Sequence, residues 1–141
     1  DYLVVDLPPG TSDAQLTLCQ SVPLAGAIIV TTPQDVALLD ARKGLMMFEK
    51  MGVKIFGLIE NMSFFECPHC NERSEIFSHG GGKAAAQQLG LNFLGAIPIE
   101  LKVRSGGDEG RPITAVEPDH PVSKSFVEIA KQVVAQVLTT V

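Results

Sequence analysis

The sequence lacks the features that mark several common classes of protein. Its 11 lysines and arginines are scattered rather than clustered, and its 16 acidic residues give a formal net charge of −5. Because nucleic-acid affinity depends on clustered positive charge, we expect no nucleic-acid partner. No apolar run approaches the roughly 18 residues that a membrane span needs, and no secretory signal pattern is present. These absences predict a cytoplasmic protein that has no membrane partner.

A phosphate-binding loop is also missing. The glycine-rich segment His79-Gly80-Gly81-Gly82-Lys83 does not have the spacing G-x-x-x-x-G-K-[ST], and Ala84 stands where the Mg²⁺-binding hydroxyl would be. A glycine turn that starts a helix is the simpler interpretation. The chain also begins without methionine, directly in an apolar run at residues 2–5. We therefore expect an N-terminal portion of the protein, with the phosphate-binding loop, to lie upstream.

The patterns that are present indicate a single α/β domain. The chain has 141 residues, 45% of them hydrophobic, which is enough for one packed core. Short apolar runs predict buried strands at residues 3–7, 26–32, 54–60 and 93–97. Helical patterns lie between and after them, to about residue 20, at 33–51, at 81–89 and at 122–138, whereas residues 101–121 are predicted to be mostly loop. This alternation predicts a mostly parallel sheet with helices on both faces.

The ends of these strands are candidate ligand-binding positions. In open parallel sheets, ligands bind outside the carboxyl ends of the strands. The segment Asp6-Leu7-Pro8-Pro9-Gly10 has the form of a Walker B strand end. There Asp6 would hold Mg²⁺ through water, and Gly10 would let the backbone approach a phosphate. Taken alone this is a weak signal, because an aspartate at a strand end also caps turns.

A pair of cysteines forms the second candidate site. The chain has three cysteines, two of them in Cys67-Pro68-His69-Cys70. In a reducing compartment this spacing indicates metal binding or redox chemistry rather than a disulfide framework. A [4Fe-4S] cluster or a structural zinc ion usually takes four protein ligands, and Cys19 is expected to be a small core side chain. A symmetric dimer would supply four thiolates from two copies.

Other interpretations of the same residues stay open. A zinc site could be completed by His69 or His79, and a thioredoxin-like dithiol would require the pair at a helix N-terminus after a strand. The flanking residues 64–66 and 71–73 look more like a hairpin. Several charged residues could contact nucleotide or a partner, or could simply be solvated: Asp13, Asp35, Asp40, Arg104 and Arg111.

Longer strings of the sequence resemble a known family. These are residues 6–13 (DLPPGTSD), 32–40 (TPQDVALLD), 60–63 (ENMS), the Cys67–Cys70 motif, 76–82 (IFSHGGG) and 104–112 (RSGGDEGRP). They are similar, in this order, to the Mrp/ApbC branch of the MinD and nitrogenase-iron-protein superfamily of deviant Walker P-loop ATPases. The similarity extends over essentially the whole chain.

The resemblance implies a function for the full-length protein. It implies that residues 1–141 are the C-terminal part of one P-loop ATPase domain, with a metal-binding excursion at about residues 62–80. It implies an ATP- and Mg²⁺-dependent carrier that delivers iron-sulfur clusters to apo iron-sulfur proteins. Its [4Fe-4S] cluster would be bridged across a homodimer by Cys67 and Cys70. Asn61 would contact the adenine, Pro98 would close over the base, and residues 32–40 would lie at the dimer interface.

Two further functions remain as alternatives. The first is a MinD- or ParA-like positioning ATPase, although residues 122–141 carry only Lys124 and Lys131 and so lack the basic character of a membrane-binding helix. The second is a zinc-binding module without nucleotide chemistry. In either case the chain itself, without a Walker A loop, is expected to bind ATP poorly, so ATPase activity belongs to the full-length protein.

Overall fold

A computed structural model describes residues 1–8, 13–77 and 80–139. The elements follow in the order α1 Asp13–Ser21, β1 Ala27–Thr31, α2 Asp35–Lys50, β2 Ile55–Glu60, β3 Phe65–Glu66, β4 Arg73–Ser74, α3 Gly81–Gln88, β5 Phe93–Ala96, α4 Leu101–Asp108, α5 Ile113–Val116 and α6 Pro121–Leu138.

The main sheet consists of parallel strands in the order β1-β2-β5. Thr31 at the end of β1 lies opposite Glu60 at the end of β2, and Glu60 lies opposite Ala96 at the end of β5. The carboxyl ends of the three strands therefore meet at one edge of the sheet, which we call the carboxyl edge. This edge is where an α/β fold of this kind binds its ligands.

Helices cover both faces of this sheet. On one face, Ile29 and Leu58 pack in a buried cluster with Leu45, Met47, Phe48 and Ala86 of α2 and α3. On the other face, Leu94 belongs to a second buried cluster with Ile97, Ile113, Val122 and Ile129, which α5 and α6 complete. Each of the larger side chains, from Val to Phe, contributes about 1.5–3 kcal/mol on burial, so these clusters hold the sheet between its two helical layers. The predicted fold class is confirmed.

The structure corrects the prediction of a strand at residues 3–7. No strand is assigned within residues 1–8, and Leu3 and Val4 are 90% and 85% exposed. An extended apolar run becomes a strand only when a neighbouring strand satisfies its backbone groups. Within the described residues β1 is an outer strand, and residues 3–7 do not pair with it.

The prediction that residues 101–121 are mostly loop is also wrong, because α4 and α5 lie there. The carboxylate of Glu100 caps α4 by accepting a hydrogen bond from the backbone N–H of Lys102, at 3.1 Å. Gly106 is accommodated inside α4 by close packing, since a Cβ atom there would lie 2.5 Å from the carbonyl oxygen of Arg111. Gly106, one of the glycines that suggested a loop, thus lets the following segment approach the helix.

The boundaries of the remaining predicted elements differ from the observed ones by no more than about two residues. Gly52 and Gly90 follow α2 and α3 with φ of 70° and 67°, the left-handed conformation expected of glycine just after a helix. Among the helices in the described part of the chain, none is both long enough and apolar enough to cross a bilayer.

Candidate functional site

Cys67 and Cys70 lie at the tip of a short antiparallel hairpin, residues 65–74, which we call the cysteine hairpin. Its strands pair Phe65 with Ser74 and Glu66 with Arg73. At the tip, the backbone N–H of Cys67 donates to the carbonyl of Glu72 at 3.0 Å, and that of Asn71 donates to the carbonyl of Cys67 at 2.8 Å. The hairpin agrees with the sequence prediction, and it lacks the strand-then-helix setting that a thioredoxin-like dithiol requires.

The two thiols differ in their surroundings. Cys67 is half-buried, whereas Cys70 is exposed. The backbone N–H of His69, then the backbone N–H and side chain of Cys70, hydrogen-bond to the sulfur of Cys67 and lower the pKa of its thiol. The thiolate is the form of cysteine that binds metal, so a lowered thiol pKa is the property expected of a metal ligand.

In the part of the chain that the structure describes, a single copy does not assemble a metal site. Across residues 1–8, 13–77 and 80–139, no three His, Cys, Asp or Glu side chains come together in a way that could hold a metal ion. Cys19, in α1, is partly buried and packs against the core cluster that contains Ile29 and Leu58, as predicted for a core side chain. His79, one of the two proposed zinc ligands, lies outside the described residues, and His69 joins no such group.

The root of the cysteine hairpin is attached to the carboxyl edge of the sheet. The backbone N–H of Ser63 donates to the carbonyl of Ile97 at 2.9 Å, and the N–H of Ile99 donates to the carbonyl of Phe64 at 2.7 Å. The guanidinium of Arg73 lies 3.7 Å from the centre of the Phe64 ring, so the returning strand stacks on the outgoing one. The hairpin is thus an extension of the edge itself.

Two of the predicted nucleotide-binding residues lie at this same edge. Asn61 follows β2, where its backbone N–H donates to the carbonyl of Thr31 at 2.7 Å and its side-chain oxygen accepts from the N–H of Met62 at 3.0 Å. Pro98 follows β5, between the two residues that bond to the hairpin root. Asn61 and Pro98 are each half-buried. The structure therefore brings Asn61, Pro98 and the cysteine hairpin to one edge.

Of the other two predicted nucleotide-binding residues, only Asp6 belongs to the part of the chain that the structure describes. Asp6 is exposed, and the strand expected to carry it is absent within residues 1–8. Gly10 lies outside the described residues. Their proposed roles in binding Mg²⁺ and phosphate therefore remain predictions.

The charged residues whose role was left open lie on the surface. Asp13, Asp35 and Asp40 are exposed, and Asp40 forms an ion pair with Lys43 at 2.9 Å. Arg104 pairs with Asp108 at 3.0 Å along the exposed side of α4. Arg111 lines a cleft of about 320 Å³ between α4 and α5. For Asp40 and Arg104, the interpretation as solvated helix residues fits the structure.

Sequence reasoning missed Glu60, the last residue of β2. Its side chain is 2% exposed, and its two oxygens accept hydrogen bonds from the hydroxyl of Ser63 and the backbone N–H of Gly82. An acidic residue that ends an apolar strand immediately before Asn61 was the available signal. The partner in α3 lies 22 residues further along the chain, which no local pattern reveals.

Comparisons with known proteins agree with the resemblance noted in the sequence. A sequence family described as "ParA: NUBPL iron-transfer P-loop NTPase" matches residues 1–134. An iron-sulfur cluster transfer protein NUBPL of Dictyostelium discoideum is 55% identical over 136 residues, which are 96% of this chain and 42% of that protein. An iron-sulfur cluster carrier protein of Synechocystis is 53% identical over 138 residues, 97% of this chain and 39% of that protein. A mitochondrial iron-sulfur protein of Arabidopsis thaliana, required for NADH dehydrogenase, is 52% identical over 134 residues, which are 95% of this chain and 43% of that protein. The chain thus spans less than half the length of these relatives.

Solved structures support the same conclusion. A nucleotide-binding protein from Archaeoglobus fulgidus, in complex with ADP, has a TM-score of 0.72 and 38% identity; the match covers 85% of this chain and 48% of that one. The cell division ATPase MinD of Pyrococcus furiosus has a TM-score of 0.71 and 24% identity; the match covers 92% of this chain and 50% of the MinD chain. At this low identity the match shows a similar fold and nothing more. The chain therefore has a MinD-like fold and belongs to the ParA family, among the NUBPL-type iron-transfer P-loop NTPases.

Proposed function

We propose that the intact protein is an ATP-dependent iron-sulfur cluster carrier, in which Cys67 and Cys70 hold a [4Fe-4S] cluster as cargo. The observation that carries this proposal is the thiol pair at the tip of a projecting hairpin, in a chain whose relatives are named as cluster carriers and transfer proteins. The exposed sulfur of Cys70 is accessible to a recipient. The lowered pKa of Cys67, caused first by the backbone N–H of His69, favours the thiolate that binds iron.

The cluster would be shared between two copies of the protein. A [4Fe-4S] cluster is held by four thiolates, and one chain provides a pair at the hairpin tip. A two-fold axis beside the tip would bring a second pair to the same cluster. Ile76 and Phe77, which follow the hairpin, are 54% and 42% exposed and would add apolar contact area to such a homodimer.

Nucleotide would bind at the carboxyl edge, beside the root of the hairpin. Asn61 and Pro98 would contact the base, and Asp6 and Gly10 would serve Mg²⁺ and phosphate once residues 3–7 have a neighbouring strand. Because the hairpin root bonds to the residues on both sides of Pro98, nucleotide bound there would alter the geometry of the thiol pair and its hold on the cluster. We propose apo iron-sulfur proteins as the recipients and the cytoplasm as the location.

The proposed domain organisation follows from the same features. Residues 1–141 would be the C-terminal part of one P-loop ATPase domain, with residues 62–80 as the metal-binding excursion. The phosphate-binding loop would be supplied by the rest of the protein, so this chain alone would not hydrolyse ATP.

Anaerobic reconstitution of the intact protein with iron and sulfide tests the cargo. We expect about four irons per two chains in the wild type, and the same in a Cys19→Ala control, because Cys19 packs in the core. A Cys67→Ala/Cys70→Ala variant should take up none. The proposal fails if the wild type takes up no iron and sulfide, or if the double variant takes up as much as the control.

A positioning ATPase that acts by localising on a membrane would need an amphipathic helix free to bind lipid. In this chain α6 instead packs Val122 and Ile129 into the core against the sheet. Co-sedimentation of the intact protein with liposomes in the presence of ATP separates this alternative from the carrier, which we expect to stay in the supernatant.

A further inference from the structure

A buried carboxylate lies at the junction between the sheet, the cysteine hairpin and α3. Glu60 is 2% exposed, and the partners that the structure gives its carboxylate are uncharged: the hydroxyl of Ser63 and the backbone N–H of Gly82. Burying a carboxylate is costly unless hydrogen bonds replace its lost hydration. A side chain kept in such a place therefore contributes something that a smaller apolar residue would not.

One of the two bonds caps a helix. The N-cap residue of α3 is Gly80, which has no side chain to accept from the free N–H groups of the first turn. Glu60 takes over this role from outside the helix by accepting from the N–H of Gly82. The first turn of α3 is thereby tied to the end of β2.

The other bond fixes the start of the cysteine hairpin. Ser63 is 3% exposed, and besides its hydroxyl bond to Glu60 its backbone N–H donates to Ile97 at 2.9 Å. The next residue, Phe64, accepts from the N–H of Ile99 at 2.7 Å. Ser63 is thus the point from which the hairpin leaves the sheet, and its position determines the direction in which the hairpin projects.

We propose that Glu60 is a positioning residue for Cys67 and Cys70. By holding Ser63 on one oxygen and the first turn of α3 on the other, it fixes the cysteine hairpin relative to the carboxyl edge of the sheet. The importance of this for cluster binding rests on the proposed function. The mechanical link itself does not, and it is tested separately.

Three substitutions separate the parts of this link. Glu60→Gln keeps both bonds, because the amide oxygen accepts from Gly82 and the amide NH₂ donates to the hydroxyl oxygen of Ser63. Glu60→Ala removes both bonds. Ser63→Ala removes only the bond to the hairpin and leaves the cap on α3. Ser125→Ala is the matched control, since Ser125 bonds locally to Pro121 within α6 at 3.2 Å.

Hydrogen exchange in the cluster-free intact protein measures the link directly. The amides of Cys67 and Ile99 report on the hairpin, Ala84 on α3 and Leu58 on the sheet, because each is hydrogen-bonded in the structure. We expect Ser63→Ala to speed exchange at the two hairpin amides about tenfold while Ala84 and Leu58 keep their rates. Glu60→Ala should also speed Ala84. Glu60→Gln and Ser125→Ala should match the wild type.

The proposal is overturned if Ser63→Ala leaves the hairpin amides unchanged, or if it speeds Leu58 as much as the hairpin, since the effect would then be a general loss of stability. It is also overturned if Glu60→Gln behaves like Glu60→Ala. Ser63→Ala keeps the test decisive even if Glu60→Ala does not fold.

Cluster-loaded protein provides a second readout. We expect Ser63→Ala to lose its cluster to an iron chelator several times faster than the wild type, and Glu60→Gln to lose it at the wild-type rate. Equal rates for all variants would overturn the positioning role. A wild type that takes up no cluster would refute the proposed function instead, and the exchange experiment would still decide the role of Glu60.

Discussion

The substitution Gly82→Ala should destabilise the protein, while the same change at Gly44 should stabilise it. A Cβ atom at position 82 would lie 2.7 Å from the Oε2 atom and 3.0 Å from the Cβ atom of Glu60. Glu60 cannot swing away at no cost, because its Oε2 atom accepts the N–H of Gly82 itself and its Oε1 atom accepts from Ser63. At Gly44, in the middle of α2, an added Cβ would meet nothing within 4 Å.

The expected magnitudes follow from these contacts. Overpacking a closely packed site costs about 1–3 kcal/mol, and a displaced carboxylate oxygen that loses its bond adds a penalty of about 1–3 kcal/mol. The better helix propensity of alanine offsets no more than about 1 kcal/mol of this. We therefore expect Gly82→Ala to lower the free energy of unfolding by at least about 1 kcal/mol. Gly44→Ala should raise it by about 0.5–1 kcal/mol.

Urea unfolding followed by far-UV circular dichroism is a suitable assay, because the chain has no tryptophan and a single tyrosine to serve as fluorescent probes. With a slope of about 1–3 kcal/mol per molar urea, the Gly82→Ala midpoint should fall by roughly 0.3–1 M or more and the Gly44→Ala midpoint should rise. If both variants shifted in the same direction by similar amounts, the close packing of Gly82 on Glu60 would be refuted.

Three further predictions concern groups on the surface and in the hairpin. The hydrogen bond from Lys102, at 2.7 Å, lowers the pKa of Glu117, so Lys102→Met should raise that pKa toward its ordinary value in an NMR titration. Because the folded-state pKa is the lower one, any stabilisation from this contact is present above about pH 4.5 and is lost as the pH falls through the folded-state pKa. The pKa of the Cys67 thiol is lowered by the backbone N–H of His69, then by the backbone N–H and the side chain of Cys70. Cys70→Ala removes only that side chain, so it should raise the pKa of Cys67. The pH dependence of alkylation measures this rise. Arg73→Met removes both the stacking on the Phe64 ring and the exposed ion pair with Glu75, and it should destabilise the hairpin by about 0.5–1 kcal/mol, measured as faster exchange of hairpin amides.

Each of these three predictions has a matched control. Lys43→Met removes a different exposed ion pair and should leave the pKa of Glu117 unchanged, so an equal rise in both variants would contradict the assignment. Cys19→Ala should not alter the alkylation profile of Cys67. Arg73→Lys keeps a cation near the ring and should retain part of the protection; equal exchange in wild type and Arg73→Met would show that the stacking is unimportant.

Sequence reasoning predicted the elements whose signals are local. The buried strands β1, β2 and β5 are continuous apolar runs, and α2 and α3 are each followed by a glycine with positive φ. Residues 3–7 were predicted as a strand on the same apolar signal, but a strand also needs a neighbour, and composition does not supply one. The helix α4 was missed because its glycines suggested a loop, whereas Gly106 is required by contact with Arg111 from outside the helix.

In the candidate site too, local sequence signals predicted some features, and contacts between distant residues determine others. The hairpin around Cys67 and Cys70 was predicted, because the motif and its flanking residues are contiguous in the sequence. Glu60 was missed because its partner Gly82 is distant in the chain, and Gly82 itself was interpreted as part of a flexible turn. The structure shows that it is packed against Glu60. The roles of Asp6, Gly10, Asn61 and Pro98 in nucleotide binding remain predictions that no contact in the structure tests.

The most direct test of the carrier hypothesis is the mass of the intact protein after anaerobic reconstitution, measured by native mass spectrometry. Two chains with one [4Fe-4S] cluster between them are expected, and Cys67→Ala/Cys70→Ala protein should contain no cluster. A single chain that holds a complete cluster at full occupancy would contradict the shared-ligand account.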